Sequence, residues 1–527
     1  MTEIWDETVD VLVAGSGAGG VTGAYTAARE GLSVTLVEAS DKFGGTTAYS
    51  GGGGMWFPCN PVLRRAGVDD TLEDALEYYR AVVGDRTPAA LQETYVRNGA
   101  PLIEYLEADE LLKFSLLPWP DYFGKAPKAR ADGMRHIAAK PLKIAAAPDL
   151  RESVRGPLDA DRLGRPQPAD YFVGGRALIA RLLSATARFP DTSARLNTAL
   201  VELVVEGGDV SGAIVESGGQ RRAIRARRGV LLAAGGFEHN DEMRAHYGVP
   251  GHSRDTMGPW GNRGLAHLAG IAAGADTDLM DQAWWSPGLR HPDGTSAFAL
   301  WFTGGIFVDD RGRRFVNESA AYDRLGRGVL DAVSAGTVTL PYWMVYDDRE
   351  GLVPPVKATN VSMVAAERYV EAGLWRTADT LEGLAAEIGV PPPELVATVA
   401  RFNEQVRAGV DEDFGRGEEP YDRAFSAGQS PLVPIEQGPF HAAAFGVSDL
   451  GTKGGLRTDT AARVLDSRDR VIGGLYAAGN TMAAPSGTAY PGGGNPIGTS
   501  MLFSHLAVRD MLSRSDERLC DEQGTRT

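Results

Sequence analysis

Near the C-terminal end, Gly487-Thr488-Ala489-Tyr490-Pro491-Gly492-Gly493-Gly494-Asn495-Pro496-Ile497-Gly498 sets one tyrosine inside a glycine-rich turn. A phenol donates a hydrogen bond, and glycines let backbone N–H groups come close to a ligand, so a carbonyl oxygen could be held there from two sides. That grip acidifies the carbon beside a ketone. At the other end of the chain, Gly15-Ser16-Gly17-Ala18-Gly19-Gly20 is a glycine turn of the kind that receives a dinucleotide pyrophosphate. The pair points to a flavin enzyme that polarises a ketone.

The elements that must position these residues are legible first at the N-terminus. Val9-Asp10-Val11-Leu12-Val13-Ala14 is a short apolar run that ends in the glycines, and a stretch of small residues with helical character follows through Arg29. A second apolar run, Ser33-Val34-Thr35-Leu36-Val37, stops at Glu38 and Ala39, about twenty residues past the glycines. Strand, turn, helix, strand and acid are therefore in register for a dinucleotide fold, with the helix N-terminus facing the pyrophosphate and Glu38 accepting from a ribose. Asp41-Lys42-Phe43-Gly44-Gly45-Thr46-Thr47-Ala48-Tyr49-Ser50-Gly51-Gly52-Gly53-Gly54 is too small-sided to form a core and must run close to something. Two later apolar runs end in glycine, Gly229 to Phe237 through Ala234 and Gly235, and Gly474 to Asn480 through Gly479. Both read as returns of the chain to the nucleotide site.

Between them, Pro61 to Asp109 reads as helices, with apolar residues at helical spacing. From Lys125 to Arg176 prolines, glycines and charges dominate, and Lys125, Lys128, Arg130, Arg135, Lys140 and Lys143 make a locally basic stretch. It is either an ordinary solvated loop or a lid with an anion-attracting entrance. From Trp284 to Phe440 strands precede a helical pair, Leu381 to Ile388 and Pro393 to Arg407.

Composition narrows the function classes. The chain has 527 residues, 43% of them hydrophobic, which suffices for two to four domains with large cores. A formal charge of -16 argues against a nucleic-acid partner, because phosphate binding draws on clustered positive charge. No run reaches the roughly eighteen apolar residues of a membrane helix, and Met1 to Thr8 carries acids where a secretory signal would be basic and then apolar. A cytoplasmic protein is expected. Cys59 and Cys520 lie far apart and in no metal or redox spacing, so two free thiols and no metal site are expected.

The small-residue stretch after Glu38 resembles the FAD domain of the fumarate reductase and succinate dehydrogenase flavoprotein superfamily. Further blocks occur in order: Gly51 to Asn60, Gly235 to Asn240, Asp281 to Trp285, Arg313 to Ser319, Asp449 to Gly455 and Tyr476 to Asn480. With these, nearly the whole chain is similar to the bacterial 3-ketosteroid Δ1-dehydrogenases. The resemblance implies an α/β protein: a discontinuous Rossmann-like FAD-binding domain at 1–283 and 448–527, with an inserted α+β catalytic domain at 284–447. It implies noncovalent FAD held by Gly15, Gly17, Ala18, Gly19, Gly20, Glu38, Ala39, Gly45, Thr46, Thr47, Ser50, Gly51, Gly52, Ala234, Gly235, Gly479, Asn480, Pro496 and Ile497. There is no second glycine turn in strand-turn-helix context for a nicotinamide, so electrons are expected to leave to an outside acceptor, a quinone, dye or oxygen.

Carried over by motif, the family's catalytic residues are Tyr122, Tyr322, Tyr490 and the backbone amide of Gly494. Tyr490 and Gly494 would hold the ketone oxygen, Tyr322 would take a proton from the adjacent carbon, and Tyr122 would assist Tyr322. Trp119, Trp284, Trp285 and Trp301 are candidates to wall a flat alicyclic ligand or to be plain core. Departures concern the substrate. Gly493 and Asn495-Pro496 replace a proline and small residues usual in the steroid-active turn, and Gly124-Lys125-Ala126-Pro127-Lys128 replaces a small, glycine-rich segment after Tyr122. A smaller cyclic ketone, a cyclohexanone or an oxo-cyclohexanecarboxylate, therefore stands beside the 3-ketosteroid as substrate. A fumarate-type reductase is the reading from another class; Arg290-His291 offers an arginine and histidine pair for it but is expected in a solvent-facing turn.

Overall fold

A computed structural model describes residues 5–168, 170–424 and 429–524, with side chains through residue 514. Its first sheet has eight strands among the described residues, and four neighbouring pairs at its centre are parallel. Glu7–Ala14 lies between Val34–Val37 and Gln220–Leu232, and Val471–Ala477 adds beyond the latter, so that Leu12 faces Val230 and Val230 faces Leu475. All three side chains are fully buried. Burial on both faces explains why these segments are apolar without alternation, and each such side chain contributes about 1.5–3 kcal/mol of transfer free energy.

The first helix, Ala18–Arg29, is built of small residues because it is squeezed between this sheet and the C-terminal helix Asn495–Gly524. A Cβ on Gly23 would lie 2.5 Å from Leu231 Cδ2. At the mouth of the turn, Gly15 has φ +97°, and a Cβ there would lie 2.3 Å from the carbonyl oxygen of Ala233. The strand, turn and helix can close only with glycine at that position.

The second sheet is antiparallel, with seven strands among the described residues, arranged around the long strand Phe440–Thr452. Ala283–Arg290, Tyr342–Asp347 and Trp375–Ala378 pair with it directly. The expected domain boundary at 447/448 falls inside Phe440–Thr452, and the one at 283/284 falls inside Ala283–Arg290. The helical pair is Leu381–Ile388 and Pro392–Ala408. An arm formed by helices Leu72–Val83 and Ala89–Glu107 packs against the first half of the molecule.

Several described segments of the stretch from 125 to 176 are built into the fold by strand pairing. His136–Ala139 pairs with Gly54–Trp56 and Phe114–Leu116, Leu142–Lys143 pairs with Tyr171–Phe172, and Phe43 bridges Val154. Of the six cations from Lys125 to Lys143, three pair with acids distant in sequence: Lys125 with Glu418, Lys128 with Asp74, and the fully buried Arg135 with both Asp70 and Asp121; Arg130 pairs with the nearby Asp132. Arg290 and His291 also depart from expectation. They end a strand, and His291 is buried with its ring against the Tyr369 hydroxyl. Cys59 is a free thiol, whereas the Cys520 side chain lies outside the described residues.

Candidate active site

The carboxyl ends of the parallel strands open onto one cavity of about 460 Å³, bounded on its far side by the second sheet. Ligands bind at this edge of open parallel sheets, where the following helices present free N–H groups. Ala14, Gly15, Ser16, Gly17 and Ala18 form one wall, and the first helix starts there on Gly17, with Ala18 N donating to Thr47 Oγ1 at 3.1 Å. Glu38 closes the next strand. Its Oε2 accepts from the Ser16 backbone N at 3.1 Å and from Ser16 Oγ at 2.5 Å, and its Oε1 accepts from Ser40 N at 2.9 Å. Ser40 Oγ also donates to Oε1, at 2.8 Å, so each oxygen accepts two hydrogen bonds and the carboxylate is fixed at the cavity edge.

Ala39, Gly45, Thr46, Thr47, Ser50, Gly51, Gly52, Ala234, Gly235, Gly479, Asn480, Pro496 and Ile497 line the same space. A Cβ added to Gly51 or Gly52 would meet nothing within 4 Å, so these backbones border open volume. A helix start on glycine, a fixed carboxylate and bare glycine backbone fit the pyrophosphate, ribose and ring of FAD. Gly19 and Gly20 sit elsewhere. A Cβ on Gly19 would lie 2.4 Å from Ser500 Oγ of the C-terminal helix, and one on Gly20 would lie 1.7 Å from the Gly15 carbonyl oxygen. Both set the closeness of backbone packing behind the turn.

At the other end of the cavity three tyrosines meet edge to face. Ring centroids are 5.1 Å apart for Tyr122 and Tyr490, 5.3 Å for Tyr122 and Tyr322, and 5.6 Å for Tyr322 and Tyr490. The Gly494 backbone N donates to Tyr490 Oη at 3.3 Å, which sets the amide and the phenol of the glycine turn side by side. The turn is tightly tethered. Tyr78 Oη and the Tyr122 backbone N both donate to the Pro491 carbonyl, at 2.5 and 3.0 Å, and a Cβ on Gly492 would lie 2.5 Å from Trp56.

Asp121, beside Tyr122, accepts from Trp56 Nε1 at 2.8 Å and from Arg135 at 2.8 Å. Burial pushes its carboxyl up to about 6 against the pull of Arg135. Removing Arg135 would leave the buried Asp121 carboxyl without its cation, at about 3–5 kcal/mol.

Burial also pushes Tyr490 up to about 12, and Tyr322 and Tyr122 well above the usual 10. Tyr490 is the least raised of the three, which suits the role of donor to a developing oxyanion. The Tyr122 hydroxyl is buried without a hydrogen bond of good geometry, on the cavity wall.

Trp119, Trp284 and Trp301 also line the cavity, whereas Trp285 is buried in the core of the second sheet. Trp301 has φ +62°, a left-handed backbone rare for a bulky residue and concentrated at functional walls. Phe298 and Leu300 also line the cavity, whereas Leu117, Met257 and Asn360 of the remaining wall were not singled out from the sequence. Nor was Asn262, whose Nδ2 donates to Thr46 Oγ1 at 3.1 Å and to Glu238 at 2.5 Å. The Gly258-Pro259-Trp260-Gly261-Asn262 turn, rich in residues that allow close backbone approach, was the available signal for it.

The family model described as FAD binding domain matches residues 10–497. The 3-oxosteroid 1-dehydrogenase of Mycolicibacterium smegmatis is 36% identical, with 95% of this chain and 97% of the relative covered. The 4-oxocyclohexanecarboxylate 2-dehydrogenase of Sinomonas cyclohexanicum is 34% identical, with 96% and 93% covered. The crystal structure of 3-ketosteroid delta1-dehydrogenase from Sterolibacterium denitrificans, in complex with 1,4-androstadiene-3,17-dione, superposes with a TM-score of 0.86 at 31% identity, covering 96% of this chain and all of that one. Carrying the FAD-binding domain and this full-length likeness, the chain belongs to the 3-ketosteroid Δ1-dehydrogenase family of FAD-dependent oxidoreductases.

Proposed function

We propose that the protein introduces a double bond beside the carbonyl of a neutral, flat cyclic ketone of the 3-ketosteroid class. The observation that carries this reading is the meeting of Tyr122, Tyr322, Tyr490 and the Gly494 amide at one end of the cavity. Tyr490 Oη and Gly494 N–H hydrogen-bond the ketone oxygen, and both bonds strengthen as negative charge collects there. The C–H bond on the neighbouring carbon is thereby weakened, and Tyr322 oxygen takes its proton. Tyr122, packed against both other rings, supports the charge on Tyr322. FAD, when bound, supplies the acceptor for the hydride lost from the next carbon. Gly15 to Ala18, Glu38 and the bare backbone of Gly51 and Gly52 would hold that cofactor, and an external quinone, dye or oxygen would reoxidise it.

The choice of substrate rests on charge. Among the described residues the cavity wall carries no arginine, lysine or histidine, and Glu38 is its charged group. A carboxylate on the substrate would find no counter-ion, whereas apolar rings would meet Trp119, Trp301, Leu300, Phe298 and Met257. Lys125, Lys128 and Arg135 of the basic stretch are paired with acids, which weakens the case for an anion-attracting entrance.

Mixing the oxidised enzyme anaerobically with androst-4-ene-3,17-dione, 4-methylcyclohexanone or 4-oxocyclohexanecarboxylate tests this by flavin absorbance. The steroid is expected to bleach the flavin fastest. Bleaching by the carboxylate alone would overturn the assignment.

A further inference from the structure

Lys453 is a fully buried lysine that the chemistry above leaves unused. It follows Thr452 at the end of the long strand Phe440–Thr452, and its own backbone N donates to the Gln282 carbonyl at 2.9 Å. Its side chain crosses to the glycine turn. Nζ donates to the Thr488 carbonyl at 3.1 Å and to the Ala489 carbonyl at 2.9 Å, the two residues before Tyr490. The same nitrogen lies 3.9 Å from the centre of the Trp284 ring. Trp284 in turn meets Tyr490 edge to face at 4.9 Å, and its Nε1 donates to Asn480 Oδ1 at 3.0 Å.

Such a burial is costly. No carboxylate pairs with Lys453 among the described residues, and desolvation holds it well below the ordinary lysine range, with Asp323 pulling it up and Arg327 pushing it down. A group that serves packing alone is better made of methylenes, so the amino group is retained for what it holds. It holds the backbone immediately before Tyr490 and the ring against which Tyr490 rests.

We propose that Lys453 is a positioning residue for the ketone-oxygen grip: it binds the Thr488 and Ala489 carbonyls to the Trp284 face, so that Tyr490 Oη stays aligned with Gly494 N–H. The proposal rests on the reading of Tyr490 as the ketone-oxygen donor. Without Lys453 the turn loses two hydrogen bonds and the contact of the amino group with the Trp284 face, and the phenol swings off the oxygen while the cavity keeps its size.

The test is a binding preference that general loosening would leave unchanged. Calorimetry on the FAD-loaded enzyme gives affinities for androsta-1,4-diene-3,17-dione, which cannot be desaturated again at the same bond, and for its analogue lacking the 3-oxo group. The ratio of the two reads the oxygen grip. Tyr490→Phe is expected to lower that ratio at least tenfold. Lys453→Met and Lys453→Gln are each expected to lower it at least fivefold, and either one suffices if the other fails to retain FAD. Adding Tyr490→Phe to a Lys453 variant is expected to lower it no further than Tyr490→Phe alone. An unchanged ratio in the Lys453 variants, with the Tyr490→Phe ratio collapsed, overturns the role of Lys453 and leaves the desaturase reading standing. Losses that multiply in the double variant also overturn it. An unchanged ratio in Tyr490→Phe overturns the reading beneath it.

Discussion

The two ends of the cavity are built in opposite ways. At the nucleotide end, short-range backbone does the work: Gly15 to Ala18, Glu38 and Gly45 to Gly52 come from one continuous stretch, and their value lies in what their side chains leave out. At the ketone end, side chains do it. Tyr122, Trp284, Tyr322 and Tyr490 arrive from four distant parts of the chain and are aligned by buried contacts such as Asp121 with Arg135 and Tyr78 with Pro491. The first end tolerates little added volume, and the second tolerates little loss of a hydroxyl.

Substitutions at each end should therefore break different measurements. The largest effect is expected for Gly19→Val. Its Cβ would stand 2.4 Å from Ser500 Oγ and 3.0 Å from the Ser500 carbonyl oxygen, driving apart the two helices whose N-termini face the cavity. Purified protein should carry less than about one tenth of the wild-type flavin, by the visible absorbance ratio. Next comes Tyr490→Phe, which should keep its flavin and lose about 10²–10³-fold in kcat, the usual scale of one oxyanion donor.

The pH profile should be distinctive too. As the proposed base, Tyr322 would act through its deprotonated form, and burial raises its folded pKa above 10, so the active fraction would grow as pH rises and reach no plateau below that value. Log kcat/KM should therefore climb from pH 7 to pH 10 in steady-state assays, with a slope of about one at most. The smallest effect on the protein itself is expected for Gly52→Ala. Nothing lies within 4 Å of the added methyl, so the thermal midpoint of the FAD-free protein should hold within about 2 °C. FAD affinity should nonetheless fall about tenfold in a fluorescence titration, because the methyl enters the space the cofactor requires.

The same contrast governs what the sequence discloses. A nucleotide turn is local: strand, glycines, helix, strand and acid follow in register, so Val9 to Glu38 reads as the element it forms. Family resemblance was needed for the tyrosines, because nothing in the spacing of 122, 322 and 490 says that their rings meet. The basic stretch misled for a related reason. Lys125 and Lys128 look unpaired in sequence, since Glu418 and Asp74 reach them only through the fold. Arg290 and His291 were expected in a solvent-facing turn because Pro287 and Gly288 precede them, yet a strand inside a sheet carries that proline. Lys453 stood within a quoted block, but a lysine in sequence reads as surface until its carbonyl partners are seen.

The central claim is that the ketone end performs the chemistry while the nucleotide end only holds the cofactor. Anaerobic stopped-flow mixing of Tyr322→Phe with saturating androst-4-ene-3,17-dione tests it most directly, with wild type alongside and flavin content matched. The variant should stay fully yellow and bleach at least about 100-fold more slowly than wild type. Bleaching at the wild-type rate would contradict the account.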